Sequence, residues 1–228
     1  NSIYTAEHYD ARLEQKGWNT VNFDDSKWNG VGYRAVPSQN VVSQQVQPIR
    51  AVETIPVKIW KKLNDTTYVF DFARNMAGVT RIKVSGEEGT VVRLKHGERL
   101  YDNGRVNTSN IDVYHRPVDN SDPFQTDILV LSGKGEDEFM ARFNYKGFRY
   151  VEVTSTNPLV LNENSLTTYF VHSDVPQKGT IHTSNALINR LWWATNNAYL
   201  SNLMWYPTDC PQREKIGWPG DGHISIQT

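Results

Sequence analysis

The sequence predicts a mainly β protein, an antiparallel β-sandwich of jelly-roll type followed by a long helix that opens a second domain. Three observations carry this. From about Val52 to Val171, short apolar runs alternate with polar residues and are separated by turn formers, with no helical period between them. After Pro176 the apolar spacing becomes helical. The last stretch crowds proline, glycine and carboxylates together, which is the composition of a loop.

Residues 1 to about 50 read as irregular and polar, with Trp18 and Trp28 set around turns and Gln44 to Pro48 as a linker. Tyr68 to Phe72 is a strand signal, and Ile82 and Val84 alternate with polar neighbours. Gly86-Glu87-Glu88-Gly89 is a turn that leads into a strand at Val91 to Leu94. Ile128 to Leu131 is a short buried strand that stops at Ser132-Gly133. Phe139, Ala141, Phe143 and Tyr145 alternate over the longest stretch, Val151 and Val153 continue after Gly147, and Leu166 to Val171 adds a further strand. Ser184 is the N-cap candidate for a helix reaching about residue 205, where Pro207 ends the pattern. Trp192, Trp193, Leu203, Met204 and Trp205 make that helix bulky and apolar. Its partners are expected beyond Thr228, and an uncovered apolar face predicts self-association. The expected division is 1–50, 51–175 and 176–228.

A formal net charge of −1 argues against a broad electrostatic footprint for nucleic acid or an anionic membrane. No apolar run approaches the length of a membrane-spanning helix. Asn1-Ser2-Ile3-Tyr4 shows no signal peptide, which leaves the compartment open. The single cysteine, Cys210, excludes an internal disulfide. His8, His96, His115, His172, His182 and His223 are scattered and form no metal-ligand pair, so neither a metal nor another cofactor is expected. His96-Gly97-Glu98 sits at a strand end and reads as surface. The 7 Trp and 11 Tyr suit the apolar faces of sugars, and core packing is the commoner reason for any single such ring.

The chemistry-bearing stretch runs from Tyr206 to Asp221. Asp209, Glu214 and Asp221 lie there with Arg213 and Trp218 among turn formers. A glycosidase needs one carboxylic acid to protonate the departing oxygen and further carboxylates to support a positive, oxocarbenium-like transition state. A solvated loop in which Asp209 caps a turn and Arg213 pairs with Glu214 has the same composition.

The string Asp209-Cys210-Pro211-x-Arg213-Glu214-Lys215-x-Gly217-Trp218-x-Gly220-Asp221 closely resembles the signature of bacterial α-L-rhamnosidases, glycoside hydrolase family 78. Other segments resemble the family in the same order: Tyr9 to Arg12 with Gly17-Trp18 and Phe23 to Trp28, Val69 to Phe72 with Asn75 to Gly78, Phe143 to Val153, and Val171 to Asp174. The resemblance implies that the terminal helix is the first of an (α/α)6 catalytic barrel that is cut short here. It implies an inverting enzyme that removes terminal α-L-rhamnose from rhamnose-containing glycans, with Glu214 as general acid. Asp209 and Asp221 would hold sugar hydroxyls, Trp218 would pack on the rhamnose and Arg213 would orient the carboxylates. His223, two residues past Asp221, is placed to line the same site. The general base is implied to lie beyond residue 228, at about 6.5–9.5 Å from the acid in an inverting site. A sugar-binding sandwich without catalysis, using Trp60 or Tyr101, is the alternative.

Overall fold

The computed structural model describes residues 3–5, 7–112 and 122–225. Its strands are β1 (His8–Asp10), β2 (Ile49–Pro56), β3 (Ile59–Asn64), β4 (Thr67–Ser85), β5 (Val91–Gly97), β6 (Arg99–Leu100), β7 (Val106–Asn107), β8 (Thr126–Val130), β9 (Glu136–Met140), β10 (Lys146–Ser155) and β11 (Leu166–Ser173). The helix α1 (Ala186–Ser201), a two-strand hairpin of β12 (Leu203–Met204) and β13 (Tyr206–Pro207), and the short α2 (Pro219–Ser225) follow. The chain is mainly β, as the alternation predicts.

Nine strands form one curled sheet in the order β1-β8-β5-β10-β4-β11-β2, with β3 and β9 also paired to β4. Its pairings are antiparallel except that β1 runs parallel to β8. The 19-residue β4 makes the curl. Its first part pairs with β3 and β10, its last part with β11 and β9. Between them the register with β10 shifts and Ala73 takes a φ of 56°. A bulge of this kind bends a strand and strengthens its twist. Asp71 fixes the bulge, accepting the Ala73 N–H at 2.7 Å and both arms of the Arg149 guanidinium at 2.8 Å. Burial acts to raise the Asp71 pKa, but the Arg149 and Ala73 donors outweigh it and hold the carboxyl below its usual range.

The core lies inside the curl and includes Phe70, Phe72, Ile82, Leu94, Phe148 and Phe170, each almost completely buried. Each such side chain contributes roughly 1.5–3 kcal/mol on leaving water. Tyr9 of β1 stacks on Phe139 of β9 at 5.5 Å, closing one end.

Three expectations are corrected. His96 is fully buried, with Nδ1 at 3.2 Å from the Gln125 carbonyl, Nε2 at 3.1 Å from the Thr80 hydroxyl, and its ring edge-on to Phe148 at 4.7 Å. The cause is Gly97: a Cβ there would stand 2.5 Å from Val106 Cγ1, so only glycine lets β7 close over this strand end. Second, the alternation from Phe139 stops at Ala141. The backbone N–H groups of Arg142 and Phe143 turn to the Glu7 carboxylate at 2.9–3.0 Å, and Phe143 is left exposed. Third, α1 is capped by Asn185, whose side chain accepts the Leu187 N–H at 2.9 Å, in place of Ser184. It ends at Ser201 because Leu203 and Met204 are recruited into the hairpin, where Trp205 adopts a left-handed φ of 68°.

Helix α1 lies against β4 and β11. Arg74, from the bulge, donates to Asn197 Oδ1 at 2.6 Å and sits 4.4 Å over the Phe170 ring, and Asn197 donates back to the Asn75 carbonyl at 2.8 Å. Leu187, Ile188 and Leu191 are exposed along the helix, and Trp193, beside Arg74 at 5.6 Å, is also exposed.

Candidate functional site

The carboxylate-rich segment forms a closed loop between β13 and α2. Asp209 and Ile216 clasp its neck: the Asp209 N–H donates to the Ile216 carbonyl, and the Ile216 N–H to Asp209 Oδ1, both at 3.0 Å. Cys210 is buried at the centre. Its thiol donates to Asp209 Oδ2 at 2.9 Å, and its sulfur accepts the Glu214 N–H at 3.3 Å. Cys210 therefore joins two of the three expected carboxylate residues and has a bonding role that the sequence did not reveal.

Glu214 is half-buried. Its backbone is held on both sides, because the Tyr4 hydroxyl donates to its carbonyl at 2.8 Å. Its carboxylate accepts the Trp218 indole N–H at 3.1 Å. Trp218 is exposed and borders a shallow cavity of about 370 Å³ shared with Tyr206, Pro207 and Gly222. The loop thus brings Asp209, Glu214 and Trp218 together. Asp221 stands in the first turn of α2, where a negative charge suits the helix dipole, and His223 follows in the same helix; both are exposed. Arg213 is half-buried in the loop. His115 lies outside the described residues.

The floor under the loop belongs to the sheet. Gly147 lies so close that a Cβ on it would stand 2.8 Å from the Pro211 ring and 3.2 Å from Gln212. Gln125 holds Gly147 from behind, accepting its N–H at 3.1 Å and donating to its carbonyl at 2.7 Å. Beside it, Lys146 and Asp127 form an ion pair at 2.9 Å with both side chains almost fully buried. Lys215 is also buried, and its nitrogen donates to the carbonyls of Ile3 and of Tyr145, the latter at 2.7 Å.

Other features lie apart from the loop. A groove of about 760 Å³, bordered by Tyr9, Trp18, Trp28 and Phe143, runs between the N-terminal segment and β9. Trp60 stacks on Tyr68 and Phe70 at 6.3 and 6.5 Å, which accounts for it as packing on the sheet. Among the described residues no group of three or more His, Cys, Asp or Glu could hold a metal ion. None of the described helices is long and apolar enough to cross a membrane.

The curled β-sheet thus supports, through its own residues, a loop that bears carboxylates and an exposed indole and leads into a helix. Comparison with known proteins gives the family. Residues 61–172 match the model of the bacterial α-L-rhamnosidase concanavalin-like domain, residues 176–228 that of the 6 hairpin glycosidase domain, and residues 1–53 that of the α-L-rhamnosidase N-terminal domain. The chain belongs to the bacterial α-L-rhamnosidase family. An α-L-rhamnosidase of Streptomyces avermitilis is 34% identical over 99% of this chain and 21% of its own length. One from Formosa agariphila is 30% identical over 98% of this chain and 23% of its own. The solved α-L-rhamnosidase of Dictyoglumus thermophilum superimposes with a TM-score of 0.88 at 38% identity, covering 100% of this chain and 25% of that one. The Streptomyces avermitilis enzyme complexed with L-rhamnose gives 0.83 at 33% identity, over 96% of this chain and 20% of that one. The chain thus spans between a fifth and a quarter of the length of these relatives.

Proposed function

We propose that this chain is the sheet-and-acid portion of an α-L-rhamnosidase that hydrolyses terminal α-L-rhamnose from glycosides or polysaccharides with inversion. The observation that carries the reading is the succession of three rhamnosidase domains along the chain, in order. The same reading keeps the division into 1–50, 51–175 and 176–228.

In this reading Glu214 is the general acid. Its fixed backbone and half-buried carboxyl suit a group that must present one proton to the leaving oxygen. The Trp218 indole steadies the carboxyl while its exposed face packs on the sugar. Asp209 and Asp221 hold sugar hydroxyls and favour the cationic transition state. Each Asp209 oxygen carries one loop hydrogen bond and keeps a lone pair for a hydroxyl. Arg213 orients the carboxylates and His223 lines the rim. Inversion requires a second carboxylate to activate water, and this reading expects it beyond residue 228. The exposed apolar face of α1 supports self-association of the isolated chain.

The test is hydrolysis of p-nitrophenyl α-L-rhamnopyranoside by residues 1–228 and by a chain extended through a whole six-hairpin domain. Activity in the extended form alone, abolished by Glu214→Gln, is expected. No activity in either form refutes the substrate assignment.

A further inference from the structure

We propose that Lys215 is a positioning residue for Glu214, a buried clip that ties the acid-bearing loop at once to the N-terminal segment and to the sheet. The inference rests on the reading of Glu214 as the acid, and it concerns how that acid is held in place.

Lys215 directly follows Glu214, yet its side chain leaves the site. Its backbone takes a left-handed φ of 55°, a conformation that non-glycine residues rarely adopt. That turn sends Lys215 into the protein while the Glu214 side chain stays half-exposed. Inside, Nζ donates to the Ile3 carbonyl and to the Tyr145 carbonyl, and it sits 4.1 Å from the Tyr145 ring centroid and 5.9 Å from that of Tyr4. These partners lie 212 and 70 residues away in sequence, on two separate segments. Tyr4, next to Ile3, adds its hydroxyl bond to the Glu214 carbonyl. The N-terminal segment is itself fastened to the sheet: the Gln125 N–H donates to the Tyr4 carbonyl at 3.1 Å, and the Glu7 N–H to Asp127 at 3.0 Å.

Burying a lysine is costly, and here burial, with Lys146 nearby, pushes its pKa well below the ordinary value. An apolar side chain would fill the same space without that cost, but it would leave both carbonyls without this donor. What lysine supplies is a compact donor that can join two backbone segments at one point. The residue pinned by this junction is the immediate neighbour of the acid. A small rotation at Lys215 swings the Glu214 carboxyl relative to a sugar oxygen, and misplacement by about 1 Å can cost roughly 100-fold in rate.

The experiment uses a full-length enzyme carrying this sequence and compares α-L-rhamnosides of a poor leaving group (4-methylphenyl) and a good one (2,4-dinitrophenyl). An acid matters where the departing oxygen needs a proton, so its loss or misplacement penalises the poor leaving group selectively. Lys215→Met should lower kcat roughly 10- to 100-fold on the methylphenyl substrate, with KM little changed and a much smaller loss on the dinitrophenyl one. Glu214→Gln should show the same selectivity more strongly. If Lys215→Met lowers both substrates equally, or neither, the positioning role is overturned while the acid assignment stands. If Glu214→Gln itself shows no selectivity, the acid assignment falls and the clip falls with it. Should Lys215→Met fail to fold, Tyr4→Phe removes the adjacent bond to Glu214 and must show the same selectivity in milder form, or the proposal fails.

Discussion

The buried His96 makes stability depend on pH in a way that can be isolated. Burial is the main cause that lowers its pKa, from 6.5 to about 4; the Asp127 charge opposes the shift and Lys146 assists it. In the unfolded chain the imidazole titrates near its ordinary value, so the folded state binds the proton less well. The resulting stability is fully present above about pH 6.5 and is lost as the pH falls towards 4. A lowering from 6.5 to about 4 corresponds to roughly 3 kcal/mol, at about 1.4 kcal/mol per pH unit. The comparison is His96→Leu. That variant loses the contacts to Thr80 and to the Gln125 carbonyl, but this carbonyl keeps the His96 backbone N–H at 2.9 Å and Thr80 keeps Thr168 at 3.3 Å. Urea unfolding, followed by tryptophan fluorescence, would be measured for both chains between about pH 7.5 and about pH 4. Carboxylate titrations common to the two cancel in the difference. The parent should lose stability relative to the variant by roughly 3 kcal/mol over that range. A difference that stays flat with pH refutes the linkage and means that His96 is accommodated as a cation.

Three further outcomes are expected. Lys146→Met strands the Asp127 carboxylate inside the sheet and should cost about 3–5 kcal/mol, read by chemical denaturation; a loss below about 1 kcal/mol contradicts the buried pair. Gly147→Ala forces a Cβ against the Pro211 ring and should destabilise by about 1–3 kcal/mol while lowering rhamnosidase activity in a full-length enzyme. Unchanged activity would show that the loop does not depend on this floor. Paired Leu187→Glu and Leu191→Glu changes on the exposed face of α1 should reduce self-association of residues 1–228 in sedimentation velocity, with little change in the β signal of circular dichroism.

What was legible in the sequence followed local patterning. Alternation and short apolar runs bounded by turn formers located the stretches that became β4, β5, β8, β10 and β11, because side chains two places apart share a face of a strand. Where a distant partner decides, the pattern misled. The alternation from Phe139 stops where Glu7, about 135 residues away, captures two backbone N–H groups. His96 is buried because Gly97 lets β7 approach, which the tripeptide does not reveal. β4 reads as two strands because its bulge places a non-glycine residue in a left-handed conformation. In the loop, the spacing of Asp209, Glu214 and Trp218 was readable, and the structure joins them by hydrogen bonds through Cys210 and the indole. The parts played by Cys210, Lys215 and Tyr4 were not readable, since each depends on contacts that exist only after the sheet has curled.

The bond between Tyr4 and Glu214 spans 210 residues, and β1 joins β8 across about 120. Closing such long intervals is slow, because chain entropy is lost before the contact forms. A ribosome releases the N-terminal segment long before its partners emerge, so this segment must wait, unpaired, for β8 and then for the loop. The loop's final geometry is therefore completed late in folding. A chain with only part of its sheet assembled would present Glu214 without the Tyr4 bond that holds its backbone.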